Sequence, residues 1–176
     1  MQMRDESQSN WYVVKTLSRA EKIVFKRLSM MGLSVYLPLQ TTIRQWSDRK
    51  KKVDVPLISG TLFIHGDAST LSLLYEVQGF HSILHFLGRP AIVRDEEINN
   101  LKLLLQDNVE IKEEVFEEIN KGESVEVIRG PLQGIIATSV EQQRNYKLII
   151  QIESLGRQFV VHVPRSQVRK VKDKIA

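Results

Sequence analysis

The apolar pattern of this chain changes character near residue 120. Up to Gln106, short β-branched runs alternate with segments whose apolar residues recur every three to four positions; from Glu123 on, only short runs at a period of two remain. A period near 3.6 lays apolar side chains along one face of a helix, and a period of two lays them on one face of a strand. One chain with both regimes in sequence is expected to fold as an α+β domain with an antiparallel sheet, followed by a small all-β domain. The stretch between them is acidic: residues 107–123 carry 2 Lys/Arg against 7 Asp/Glu. The expected division is therefore a disordered N-terminus at 1–10, an α+β domain at 11–106, an acidic linker at 107–120 and a β domain at 121–176.

Within the first domain, Trp11–Thr16 (WYVVKT) is a strand. Ser18 and Glu21 match the S-x-x-E capping box, in which the hydroxyl accepts an amide of the first turn and the carboxylate reaches back. The helix that follows is expected to bury Ala20, Ile23, Val24, Leu28 and Met31 and to end at Gly32. Val35, Leu37 and Leu39 alternate, with Pro38 implying an edge or a bulge. Arg44–Lys52 is polar and cationic and suits a hairpin tip, from which Val53–Ile64 returns with breaks near Pro56 and Gly60. Asp67, Ser69 and Thr70 offer caps for a short helix with Leu71, Leu74 and Val77 inward. Ile83–Leu87 is a further strand, and Asp95 caps a third helix burying Ile98, Leu101 and Leu105. Short β-rich runs around Val125, Val127, Ile149, Ile152 and Val161 suggest an SH3-like barrel.

Charge points to the neighbourhood in which the chain works. Residues 1–106 carry 14 Lys/Arg against 10 Asp/Glu and residues 124–176 carry 9 against 4, so two basic blocks flank the acidic one. That asymmetry favours a nucleic-acid neighbour for the basic parts. Cysteine is absent, which excludes disulfides and thiolate metal sites and suits the cytoplasm. The polar first ten residues do not form a signal peptide, and no apolar run approaches the roughly 20 residues that span a bilayer. No phosphate loop, nucleophile elbow, zinc-protease motif or dinucleotide fingerprint occurs. His81 and His85 lie on a strand-like run without a third ligand, so no metal site and no cofactor are expected. Without one compact catalytic constellation, the chain is expected to be a binding protein and not an enzyme.

Lys121–Gly134 (KGESVEVIRGPLQG) resembles the KOW motif. Gly122 turns into the strand, Val125 and Val127 point inward, Gly130 and Pro131 form a tight turn, and Gly134 lets the next strand start close by. KOW barrels occur in transcription factors and in ribosomal proteins, so a ribosome- or RNA-binding KOW protein is the alternative on this motif alone. The first domain separates the two. Trp11–Val14 (WYVV), Gly32 with Tyr36-Leu37-Pro38, Pro56–Ile64 (PLISGTLFI), Phe86-Leu87-Gly88 and Asp95–Ile98 occur in the order of the NusG N-terminal domain, and the resemblance runs over about residues 11–172. Tyr36–Leu39 together with Arg44–Val53 (RQWSDRKKKV) is most similar to specialised NusG paralogues of the UpxY type, antiterminators of capsular-polysaccharide operons.

The resemblance implies a transcription elongation and antitermination factor: a cytoplasmic monomer, with no membrane partner, that binds RNA polymerase. The polymerase's clamp helices would meet an apolar surface at Leu57, Ile58, Thr61, Phe63, Ile83 and Phe86, and its opposing jaw would meet Asp67, Ser69 and Thr70. Ile58–Thr61 (ISGT) stands where the family usually has a Phe-Pro-Gly-Tyr-like run, implying a shallower, more flexible rim. Arg19, Lys22, Arg44, Arg49, Lys50, Lys51 and Lys52 would contact phosphates of non-template DNA or nascent RNA, with Trp46 stacking on a base. In the KOW domain, Leu132, Leu155 and Arg157 match loops that recruit Rho or a ribosomal protein. Some paralogues hold this domain as a helical hairpin; here the β-branched runs and Gly130, Pro131 and Gly156 favour a constitutive barrel.

Overall fold

The computed structural model describes residues 9–45, 49–106, 111–115, 123–130, 132–141, 145–152, 155 and 157–171. They form two compact units, divided in the chain between Asp95 and Glu96.

The first unit is organised on β1 (Asn10–Thr16), followed by α1 (Glu21–Met30), β2 (Ser34–Tyr36), β3 (Leu39–Gln45), β4 (Lys50–Pro56), β5 (Thr61–Gly66), α2 (Ala68–Leu73), β6 (Phe80–Ile83), β7 (His85–Phe86), β8 (Arg89–Pro90) and β9 (Ile92–Val93). The sheet runs β2-β5-β1-β6, with β9 also paired to β1, and every pairing is antiparallel. β3–β4 and β7–β8 are separate two-stranded hairpins. β2 is an edge and ends before Leu37 and Pro38, as a residue without an N–H requires. One face of the sheet buries Tyr12, Val14, Leu62, Ile64 and Ile83 against Val24 and Leu28 of α1 and Leu71, Leu74 and Val77 around α2.

Helix α1 departs from its sequence reading. Its N-cap is Ala20, with no side-chain cap, so Ser18 and Glu21 form no capping box. The buried stripe is Glu21, Val24 and Leu28, while Ile23 and Met31 are exposed. The helix begins later than its polar prelude suggests, because Arg19 adopts a left-handed backbone (φ 60°). Glu21 therefore points inward, where its Oε1 accepts the Gly60 N–H at 2.7 Å. Gly60 in turn accepts the Thr16 N–H (3.0 Å), and Leu57 donates to the Pro38 carbonyl (2.8 Å). The β4–β5 turn, expected to be a flexible rim, is thus tied on several sides.

The second unit includes most of α3 (Asp95–Gln106), then β10 (Lys112–Val115), β11 (Glu123–Val127), β12 (Ile136–Glu141), β13 (Asn145–Ile152), β14 (Arg157–Pro164) and β15 (Val168–Lys170). The strands form one antiparallel sheet in the order β10-β14-β13-β12-β11-β15. The division between the units thus falls a dozen residues ahead of the acidic segment, and Lys112–Val115 of that segment is a paired strand where a free tether was expected. Charge alone does not reveal that backbone groups have found a partner. The buried residues of α3 are Glu97, Ile98, Leu101 and Leu104, with Leu105 only half-buried. Val125 and Val127 are buried in alternation, as the period of two anticipates, whereas Leu148–Ile150 and Gln158–Val161 are buried at every position. Gly130 (φ 89°) and Gly134 (φ 94°) take the left-handed backbone their turns need, and Gly134 donates to Val127 at 2.8 Å. Gly122 and Pro131 lie outside the described residues, as do positions 1–8.

Removing the carboxylate of Glu21 leaves the Gly60 amide without its acceptor in a half-buried turn. Glu21→Ala is expected to destabilise the protein by about 1–3 kcal/mol in urea unfolding, and Glu21→Gln, which keeps an acceptor oxygen, by less. Equal midpoints for wild type and Glu21→Ala would show that the bond contributes nothing.

Candidate functional site

The apolar set expected at a partner surface divides sharply in the structure. Ile58, Thr61, Phe63 and Ile83 are buried. β5 is buried at four consecutive positions, because it lies inside the sheet between β2 and β1. Thr61 accepts a hydrogen bond from Lys15 Nζ (2.9 Å), Phe63 stacks on Tyr36, and Ile83 belongs to the core cluster. Of the four, Ile83 belongs to the first unit's core cluster, and Ile58, Thr61 and Phe63 are buried in the chain as a whole. Leu57 is half-buried in the β4–β5 turn.

Phe86 is different: it is 72% exposed, and its neighbour Leu87 is 87% exposed. Both sit at the tip of the β7–β8 hairpin, where Leu87 (φ 50°) and Gly88 (φ 76°) have left-handed backbones. The hairpin's base is fixed: Leu84 N–H donates to Val13 (2.9 Å), Ala91 N–H to Leu84 (2.8 Å), and His85 Nδ1 bonds the Ile83 carbonyl (2.8 Å). An aromatic and a branched aliphatic side chain are thereby held out on a short, anchored turn. Leu87 was missed in the sequence; the Leu-Gly pair between two strand-like runs was its only signal.

Asp67, Ser69 and Thr70 close the N-terminus of α2. Asp67 Oδ1 accepts Ser69 Oγ (2.6 Å), Thr70 N (2.9 Å) and Thr70 Oγ1 (2.9 Å), and Asp67 N donates to Thr70 Oγ1. This reciprocal cap uses the groups expected at the opposing jaw. The hydroxyl of Ser69, then the amide and hydroxyl of Thr70, stabilise the ionised carboxylate and lower its pKa from 3.8 to about 2.

The cationic residues gather on the β3–β4 hairpin and the start of α1. Lys22 Nζ donates to the Asp54 carbonyl at 2.6 Å, tying the helix to β4. Arg19 is exposed in the loop before the helix. The register pairs Gln45 with Lys50, Arg44 with Lys51 and Ile43 with Lys52. Strand alternation therefore separates the three lysines: Lys50 and Lys52 share a face with Ile43 and Gln45, and Lys51 lies on the other. Arg49 precedes β4 and is exposed; Trp46 lies outside the described residues.

In the second unit Leu132, expected on a recruiting loop, is buried, while Leu155 and Arg157 are half-buried. The turn that Leu132 occupies needs an inward apolar anchor, and Ile135 donates to its carbonyl. Ion pairs Arg169–Glu126 (2.7 Å) and Lys170–Glu123 (2.6 Å) tie β15 to β11. Among the described residues no cluster of His, Asp or Glu is arranged to hold a metal, and no helix is long and apolar enough to cross a membrane.

The cap has a pH signature. Because the folded-state pKa of Asp67 is depressed, its contribution to stability is complete above 3.8 and is lost as pH falls toward about 2. The stability difference between wild type and Asp67→Ala should hold constant from neutral pH down to about 4 and vanish near 2, as read from thermal melts across that range. A difference already lost at pH 5 would contradict the bonding described for Asp67.

The family model described as "NusG: Transcription termination factor nusG" matches residues 9–102, just over half of the chain. Among solved structures, one described as "Domain interaction in Thermotoga maritima NusG" is similar over 96% of this chain and all of its own, with 21% identity and a TM-score of 0.52. Two crystal structures of an MjSpt4:Spt5 complex align over 93% of this chain and 99% and 97% of theirs, at 19% identity and a TM-score of 0.31. No curated protein sequence matches. The α+β architecture of the first unit, with its antiparallel sheet and few helices, agrees with the family match, and the chain belongs to the NusG family of transcription factors.

Proposed function

We propose that this protein is a transcription elongation and antitermination factor that docks on the clamp helices of RNA polymerase through its first unit. The observation that carries the proposal is the exposed Phe86–Leu87 tip on an anchored hairpin. A coiled-coil tip offers apolar side chains along its helices, and an aromatic anchor beside a branched aliphatic is what such a surface accepts. Leu57, half-buried, completes the apolar ground nearest in kind, and the α2 cap keeps Ser69 at the surface for the opposing jaw. Bridging the cleft stabilises the processive conformation over the paused one by binding it better. The basic hairpin then lies beside DNA or the nascent transcript.

The second unit serves as a KOW barrel that recruits Rho or a ribosomal protein through Leu155 and Arg157. Tyr36–Leu39 and the hairpin sequence favour a UpxY-type specialisation, with action at one operon such as capsular-polysaccharide synthesis. The protein acts as a cytoplasmic monomer.

Phe86→Ala is expected to fold as wild type and to lose about 2 kcal/mol or more of polymerase affinity, roughly 30-fold, in a co-purification or anisotropy titration with core polymerase. Ile83→Asp, three residues earlier, should instead unfold the protein, because it places a charge in the core. Retention of full polymerase affinity by folded Phe86→Ala would remove the clamp assignment.

A further inference from the structure

The β3–β4 hairpin is a two-stranded ribbon seven pairs long, from Leu39↔Pro56 to Gln45↔Lys50, and among the described residues it pairs with no other strand. At about 3.4 Å per residue it extends roughly 20 Å. Its two faces differ in burial. Gln40, Thr42, Val53 and Val55 share one face and are half-buried, and Lys51, nearer the tip on the same face, is exposed. Leu39, Thr41, Ile43, Gln45, Lys50, Lys52, Asp54 and Pro56 share the other; Leu39 and Pro56 at the root are half-buried and the rest are exposed, Ile43 at 66%.

The exposed face is graded along its length. Near the root, the Asp54 carboxylate accepts the Thr41 hydroxyl (2.7 Å), and Lys22 holds the Asp54 carbonyl. Toward the tip there is no anion among the described residues of that face: it presents an aliphatic side chain, an amide and two ammonium groups. We propose that this outer face of the hairpin enters the major groove of duplex B-form DNA and prefers a step containing A·T pairs. The proposal rests on the DNA-facing role suggested above for the hairpin and names the form of nucleic acid it takes.

The chemistry favours a duplex over the alternatives. A B-DNA major groove about 12 Å wide admits a two-stranded ribbon. There an aliphatic side chain meets the thymine methyl, and a glutamine amide pairs with adenine N6 and N7. Lys50 and Lys52 neutralise the flanking phosphates. The A-form major groove of an RNA duplex is too narrow for side chains to reach its bases.

The test exploits strand alternation. Lys51 and Lys52 are adjacent, and neutralising either removes the same charge, yet they lie on opposite faces. Full-length protein is titrated by fluorescence anisotropy with an A·T-containing duplex of about two helical turns, its G·C counterpart, the matching single strand and an RNA hairpin. Lys52→Ala should weaken binding to the A·T duplex about 5-fold or more, and Lys51→Ala less than about 2-fold. Ile43→Ser should erase the preference for the A·T duplex while leaving the salt slope unchanged. Equal losses at Lys51 and Lys52, or tighter binding of the single strand or the RNA hairpin, would overturn the proposal. Polymerase is absent from this assay, so its outcome is separable from failure of the Phe86 contact.

Discussion

Two consecutive residues of α1 hold the first unit in its working shape. Glu21 turns inward and receives the Gly60 amide; Lys22 turns outward and grips the Asp54 carbonyl. The first bond fixes the turn that delivers β5 into the sheet, and the second fixes the root of the hairpin that leaves it. A buried carboxylate is costly unless it is hydrogen-bonded, so the Glu21 contact is worth most as a constraint on geometry: alternatives that move the β4–β5 turn leave both an unmatched carboxylate and an unmatched amide. β1 then uses both of its edges, with β5 on one side and β6 and β9 on the other. The exposed hairpins project from a body whose central strand has no spare backbone groups over most of its length.

Much of this body was legible in the sequence because period and turn chemistry agreed. WYVVKT, the Asp67 cap, the inward Val125 and Val127 and the two glycine turns fell where strand, cap and turn residues placed them. The failures have physical causes. Ser18 and Glu21 have the spacing of a capping box, but that spacing does not say whether the glutamate folds back onto its own helix or reaches a turn 39 residues away. The run TLFI, with apolar or small residues at every position, fits a strand buried on both faces as well as one facing a partner. Family resemblance assigned it to a surface, and in the structure Thr61 and Phe63 are buried.

The candidate site was legible in its charges and less so in its apolar contacts. A lysine run announces a cationic surface, but only the pairing register shows that its members face opposite ways. Ile43 drew no notice as one more aliphatic in a strand, and its position on the exposed face follows from Ile43↔Lys52. The acidic segment shows the same limit: seven carboxylates in seventeen residues describe a polar stretch, while the backbone of Lys112–Val115 pairs with β14 regardless.

The left-handed backbone of Leu87 has an energetic implication. A residue with a branched side chain in that conformation costs about 1–2 kcal/mol relative to glycine, and an 87% exposed side chain recovers little of this by packing within the chain. The folded state therefore carries strain at the very tip where its apolar groups meet solvent. That strain is settled when the chain folds, before any encounter. A partner docking on the tip would find the turn already formed, with little further backbone entropy to lose.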